Sequence, residues 1–373
     1  MNTLVLCTSG GRGGLELYAL RVARFIVNNS DDHCVLVTRE DGYLAAAEKG
    51  REVNTFYLQW RFRALPLISA LKLARYIDVN KIDVIHMHWG KDLSLAALAK
   101  HFSRRKPKLL YTRHMGITRP KKDLPHRFLY SQVDRLLTIS KQVRKEALEF
   151  LPLAPDKIQL LYLGVPPAKV QTAPEREVKL PGRAIKRAFN IGMFGRIEHG
   201  KGQHLLVDAV AMLVEKKLDV SATIIGHVMD ENYFDQLKQT IEKRGLAEHI
   251  EFVDFIDEPM AAMPAFDVIT LTTYCEAFGL VLVEAMRAGV AVIGTDAGGV
   301  PEIIRDGETG FLVPPGDSAA LAERLQQLYE NSAQKEQLAL SGKAWADTTF
   351  DEETNFSGLM AVFHDLAAEA APV

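Results

Sequence analysis

Only three cysteines occur in the chain, Cys7, Cys34 and Cys275, and no two share the spacing of a zinc knuckle or a redox pair. A sparse, odd set argues against a disulfide framework and suits a reducing compartment. Long hydrophobic runs are also missing. The most apolar stretch, residues 277–294, is broken by Glu284 and Arg287, too polar for a membrane span. The start, MNTLVLCTSGG, has no basic region ahead of its short apolar run and reads as a first β-strand rather than a signal peptide. There is no low-complexity tract and no short repeat. A soluble, cytoplasmic protein is expected.

What remains is an ordinary globular balance, 47% hydrophobic and 25% charged, in a chain of 373 residues that is long enough for two domains. The net charge of −2 hides an asymmetry. Residues 1–165 hold 27 Lys and Arg against 15 Asp and Glu, whereas residues 166–373 hold 18 against 32. Such a split points either to different partners for the two halves or to unequal solvated surfaces.

Short β-rich runs alternate with helical patterns throughout. TLVLC (3–7) leads into a segment with apolar residues at Leu15, Ala19, Val22, Ala23 and Ile26, the period of a helix. CVLVT (34–38), VIHMH (84–88), LLYT (109–112) and RLLTI (135–139) read as further strands. The alternation restarts with FNIGMF (189–194), SATIIG (221–226), VITLT (268–272) and VAVIG (290–294). This predicts an α/β protein of two Rossmann-like domains, each a parallel sheet covered on both faces. The first domain is predicted over 1–165 and the second over 188–349. A Pro-rich, charged linker without apolar period spans 166–187, and a C-terminal helix covers about 350–373. In such sheets ligands meet the carboxyl ends of the strands, so chemistry is expected in the loops there, facing a cleft between the domains.

Three loops carry candidate groups. SGGRGGLELYAL (9–20) has four glycines before a helix, able to bring backbone N–H groups to an anion or to make a tight turn. A dinucleotide fingerprint fails at its third position, Glu16. FGRIEHGKGQ (194–203) places Arg196 and Lys201 after a strand. Two cations there fit a diphosphate or an exposed basic loop. EAFGLVLVEAM (276–286) sets Glu276 before a helix that begins near Gly279, with the N–H groups of Phe278, Gly279 and Leu280 at its positive end. Glu284 falls one to two turns inside the helix among apolar neighbours. A carboxylate there needs donors, either ribose hydroxyls or nearby backbone N–H groups.

GRIEHGKG, CEAFGLVLVEAM and AVIGTDAGGVPEIIRDGETGFLVPPGD (291–317) together closely resemble the signature of retaining GT-B glycosyltransferases of family 4. GGLELY and VIHMH extend that resemblance over nearly the whole chain. It implies transfer of a sugar from a UDP or GDP donor to an acceptor hydroxyl in bacterial cell-envelope polysaccharide or lipopolysaccharide synthesis. It implies that Arg196 and Lys201 hold the diphosphate, that Glu276 holds a sugar hydroxyl and that Glu284 binds the ribose. His114, together with Gly13 and Gly14, would meet the donor from the first domain. No metal or other cofactor is expected, and no Asp-x-Asp pair is present. Expected partners are the nucleotide sugar and a glycan or glycolipid acceptor of anionic character, with peripheral contact at the inner membrane face and no nucleic acid. In relatives the C-terminal helix returns to the first domain.

The sequence departs from that pattern at Asp254, in place of a glycine beside the nucleobase pocket, at LGVP (163–166), and at TTYCE (272–276), in place of a Pro-Ser entry. His86 and His88 alternate on one strand; without further ligands they are expected to line the cleft rather than hold zinc. Trp60 and Trp89 are read as packing residues. Two alternatives come from other classes. A dinucleotide-dependent oxidoreductase would share the alternation but needs the failed glycine, and a non-catalytic nucleotide-sugar-binding protein would lack part of the Arg-Lys-Glu set.

Overall fold

A computed structural model describes residues 1–58, 66–168, 185 and 187–370. Most of the expected linker, and Trp60, lie outside the described residues. The chain divides into two compact units, Met1–Leu163 with Glu353–Val373, and Gly164–Glu352.

In the first unit β1 (Asn2–Leu6), α1 (Gly14–Asn29), β2 (His33–Thr38), α2 (Tyr43–Glu48) and β3 (Asn54–Tyr57) build one half of the sheet. The other half is β4 (Val84–Met87), β5 (Lys108–Arg113), β6 (Arg135–Thr138) and β7 (Ile158–Leu160). Their helices are α3 (Leu67–Val79), α4 (Leu93–Phe102), α5 (Leu124–Ser131) and α6 (Lys141–Phe150). All seven strands are parallel in the order β3-β2-β1-β4-β5-β6-β7.

The second unit repeats the plan. It runs β8 (Phe189–Phe194), α7 (Gln203–Glu215), β9 (Val220–Ile225), α8 (Glu231–Lys243), β10 (Ile250–Val253), α9 (Pro259–Ala262) and β11 (Val268–Leu271). It continues with α10 (Leu280–Arg287), β12 (Ala291–Thr295), β13 (Phe311–Val313), α11 (Ser318–Glu330) and α12 (Ser332–Thr349). The parallel order is β10-β9-β8-β11-β12-β13. The last helix, α13 (Glu352–Ala370), lies on the first unit, where Phe356 packs on Phe25 and Tyr18.

Strands such as FNIGMF and VSATII are buried along their whole length, which is why they read as continuous apolar runs rather than alternating ones. Each unit has its own hydrophobic core. In each sheet the strand order reverses beside the first strand, between β1 and β4 and between β8 and β11. The loops leaving those strands therefore open a crevice at a topological switch point.

Candidate active site

In the second unit the loops after β8 and β11 flank that crevice, and they bring Lys201 and Glu276 together. Lys201 Nζ donates to Glu276 Oε2 at 2.6 Å, with both side chains about one-fifth exposed (21% and 22%). Glu276 thus has a cationic partner, although its neighbours in sequence are uncharged.

The pair is positioned by backbone, and hydroxyls fix that backbone. Gly202 closes the turn after Lys201 at φ +73°, and a Cβ there would run into the Thr272 carbonyl. The Thr272 hydroxyl shares its proton between the carbonyls of Gly202 (2.8 Å) and Lys201 (3.1 Å). Thr273 Oγ1 donates to the Gly200 carbonyl at 3.1 Å, and Thr295 Oγ1 donates to the Thr273 carbonyl at 2.6 Å. On the far side Gly298, at φ +62°, leaves the room that the Glu276 backbone fills, and the Gly299 N–H donates to the Glu276 carbonyl at 2.8 Å. The Thr-Thr entry is therefore a working tether between the two loops. In the sequence alone it stands out only as a departure from the family pattern. The hydroxyls before Glu276 were the available signal.

Arg196 is 57% exposed and pairs with Glu198 at 2.9 Å, while its carbonyl accepts from buried Gln203 at 2.8 Å. Its guanidinium is accessible and its backbone is held. α10 begins at Leu280 with Gly279 as N-cap at φ +105°, and Phe278 is buried beneath it against Phe350. The amides of Phe278, Gly279 and Leu280 sit where the sequence places them, at a positive helix end. Glu284 is half-buried in the second turn. Asp254 is 85% exposed at the end of β10, where it meets His227 Nδ1 at 3.1 Å, and His227 stacks on Phe255. The segment at Val165 is pinned by the Phe350 carbonyl, which accepts its N–H at 2.9 Å.

In the first unit the structure corrects the reading of His86 and His88. Neither lines a surface, because both are fully buried. His86 Nε2 bonds to Thr112 Oγ1 at 2.7 Å and its ring meets Phe363 of α13. His88 Nδ1 bonds to His114 Nε2 at 3.1 Å. Tyr18 presents its ring to both His88 and His114 and donates its hydroxyl to Asn355 at 2.7 Å. His114 is nearly buried, at 9% exposed. Gly13 caps α1, Gly14 begins it, and Glu16 folds its carboxylate back to Gly11 and Gly13.

Burial holds these histidines neutral. The His86 and His114 pKa values fall to about 3, through desolvation and then through His114 and Arg113 respectively. His88 is pushed well below the usual range by burial. An unfolded histidine takes up its proton near pH ~6.5, whereas folded His86 and His114 do so only at about 3. Their contribution to stability is therefore complete above pH ~6.5 and is lost as pH falls toward 3, at up to ~1.4 kcal/mol per pH unit for each ring. The melting temperature should drop between pH 7 and pH 5. His86→Gln should show a shallower drop; an unchanged slope would remove His86 from this account.

Family models identify the two units separately. Glycosyl transferases group 1 matches residues 181–345, and Glycosyltransferase Family 4 matches residues 12–169. The chain is 30% identical to a phosphatidyl-myo-inositol mannosyltransferase of Mycobacterium leprae, over 81% of this chain and 78% of that protein. It is 26% identical to the lipopolysaccharide core biosynthesis mannosyltransferase LpcC of Rhizobium leguminosarum bv. viciae, over 77% and 79%. The crystal structure of Anabaena HepE in complex with UDP-glucose shares the fold at a TM-score of 0.84, with 23% identity, 98% of this chain and 100% of that one covered. Two parallel Rossmann-like units, the paired Lys201 and Glu276 and this similarity along the chain lead to one assignment: the protein belongs to glycosyltransferase family 4 and has the GT-B fold.

Proposed function

We propose that the chain moves a sugar from a nucleoside diphosphate to the hydroxyl of a glycan or glycolipid acceptor, with retention of anomeric configuration and without a metal. The observation that carries this reading is the Lys201–Glu276 pair, tethered by Thr272 and Thr273 at the N-terminus of α10. As the sugar–phosphate bond lengthens, the anomeric carbon becomes oxocarbenium-like and the leaving diphosphate gains charge. Lys201, Arg196 and the amides from Phe278 to Leu280 stabilise that charge. Glu276 orients Lys201 and holds a sugar hydroxyl. The acceptor oxygen attacks from the face the diphosphate leaves, and its proton passes to the leaving phosphate. His114, Gly13 and Gly14 would meet the donor, as the family resemblance implies.

The names of the similar mannosyltransferases, one of phosphatidyl-myo-inositol and one of lipopolysaccharide core biosynthesis, support a lipid-linked acceptor in the cell envelope, and the proposal extends to an anionic acceptor and to work at the cytoplasmic face of the membrane. Uridine and guanosine diphosphate sugars, supplied with membrane lipid extract and with chelator, test the proposal through release of nucleoside diphosphate. No acceptor-dependent release from any donor would overturn it. Glu284→Ala should weaken binding of the matching nucleoside diphosphate by ~1.5–3 kcal/mol, the scale of hydrogen bonds to a charged group. Calorimetric titration checks this, and an unchanged affinity would remove the ribose assignment.

A further inference from the structure

Asp254 departs from the family pattern, and the arrangement around Lys201 and Glu276 gives it no task. It stands at the carboxyl end of β10, two strands along from β8 in the order β10-β9-β8. Adjacent strands lie ~4.8 Å apart, so the exits of β8 and β10 are separated by about 10 Å. That is within the length of a nucleoside.

The three strand exits are sewn into one rim. The Gly195 N–H donates to the Ile225 carbonyl at 2.9 Å, and the Gly226 N–H donates to the Val253 carbonyl at 3.0 Å. One residue beyond Arg196, the Ile197 N–H donates to the His227 carbonyl at 2.8 Å, and the Ile197 carbonyl accepts from the Met229 N–H at 3.0 Å. A diphosphate resting on Arg196 therefore has His227 next to it along the rim. His227 and Phe255 make a flat shelf there, with ring centroids 4.8 Å apart and planes within 11°. Phe255 covers one face of the imidazole. At 52% exposed, the His227 side chain has surface left for a second planar group.

The Asp254 carboxylate sits at the edge of this shelf. Its Oδ1 accepts the Phe255 N–H at 2.6 Å and lies 3.1 Å from His227 Nδ1. Among the described residues Oδ2 has no partner. Asp257 and Glu258, both exposed, follow on the same loop, and residues 254–260 contain no Lys or Arg.

We propose that Asp254 selects guanine as the donor base: with the diphosphate on Arg196 and Lys201, the base lies on the His227 ring and donates its N1–H and N2–H groups to the Asp254 carboxylate. An ionised carboxylate accepts hydrogen bonds and cannot donate them. Guanine alone among the common bases sets two N–H donors side by side on its Watson–Crick edge. Adenine and cytosine place a single amino group beside a ring nitrogen that accepts. Uracil places its N3–H between two carbonyls, which the negative oxygens repel. Bonds to an ionised acceptor are the strong ones, so the difference between bases is large. A purine laid on His227 also overhangs the smaller imidazole, which brings its edge to the carboxylate. The assignment rests on the nucleoside-diphosphate donor reading above and names its base.

Calorimetric titration of the full chain with guanosine, inosine, xanthosine, uridine and adenosine diphosphates tests it. The parent should bind guanosine diphosphate about ten- to a hundredfold more tightly than inosine diphosphate, which lacks only the N2 amino group; this is the scale of one hydrogen bond to a charged group. Uridine and adenosine diphosphates should bind no better than inosine diphosphate. Asp254→Asn keeps the shape but exchanges one acceptor for a donor. It should weaken guanosine diphosphate by a similar factor and bind xanthosine diphosphate, whose C2 carries a carbonyl in place of the amino group, more tightly than guanosine diphosphate. A residue that merely shaped the loop would not exchange one base for another. The side chain is 85% exposed, so the variant should fold, which circular dichroism checks. His227→Ala should weaken all five diphosphates by about fivefold or more through lost stacking. Uridine or adenosine diphosphate bound as tightly as guanosine diphosphate, or an Asp254→Asn variant that keeps the parent's ranking of bases, would overturn the assignment and leave the donor reading standing. Binding of none of the five by the parent would overturn both.

Discussion

Lys201→Ala is expected to lower turnover by about 10²–10³, the usual scale for removing one group that stabilises charge in the transition state. The side chain is one-fifth exposed and its turn is fixed by Gly202 and Thr272, not by the ammonium, so the second unit should stay folded. The coupling to Glu276 makes the result diagnostic. At 2.6 Å the carboxylate limits where Nζ can go, so Glu276→Gln should lower turnover while donor binding persists. If the two act as one unit, the double variant should be little worse than Lys201→Ala alone. Losses that multiply would mean independent roles and would separate Glu276 from the orientation of Lys201. Arg196 supplies the contrast. It is 57% exposed and paired only with its near neighbour Glu198 among the contacts described, so its guanidinium should act after donor binds rather than being fixed in advance.

The sheets and the donor-side motif were legible in the sequence because their physics is local. Parallel strands buried on both faces leave continuous apolar runs, and TLVLC, FNIGMF and VITLT announce themselves this way. The three-residue strands β7 and β13 do not, and neither do β3 and β10, whose four residues are only partly buried and leave no continuous apolar run. Glu276 and Lys201 could be singled out as residues, yet their hydrogen bond could not. It depends on two loops 75 residues apart meeting across the switch point of one sheet. The same distance in sequence hid the role of Thr272, whose hydroxyl serves the backbone of the other loop. His86 and His88 were misplaced for a related reason. Alternation shows which side of the strand they share, but not that α13, more than 250 residues later, covers that side with Phe363. A closing helix from the far end of the chain leaves no mark on VIHMH itself.

Arg287 shows the same blindness with the largest expected effect on stability. In sequence it only interrupts an apolar stretch. In the fold it is 4% exposed at the end of α10 and reaches three acceptors at once. Its Nε pairs with Asp347 at 3.0 Å, an Nη pairs with Asp351 at 3.3 Å, and another donates to the Val165 carbonyl. One planar fork thereby joins α10 to α12 and to the segment entering the second unit. Breaking a buried pair costs about 3–5 kcal/mol; here the two carboxylates are roughly one-quarter to one-third exposed and can recover some hydration, so Arg287→Met should destabilise by ~2–4 kcal/mol. Arg287→Lys keeps the charge but offers one point donor where three directions are needed, so it should recover only a minor part of that loss. Urea unfolding followed by protection of α10 and α12 amides reads the effect in the unit where it arises. The carboxylate partners separate the pair from the carbonyl contact: Asp347→Asn with Asp351→Asn leaves the 4%-exposed guanidinium without a counter-charge and strips Lys343 of its partner at 2.5 Å, so it should destabilise at least as much as Arg287→Met although the Val165 bond survives. A loss below ~0.5 kcal/mol in Arg287→Met, the range of an ordinary surface substitution, would show that the fork joins nothing the unit depends on.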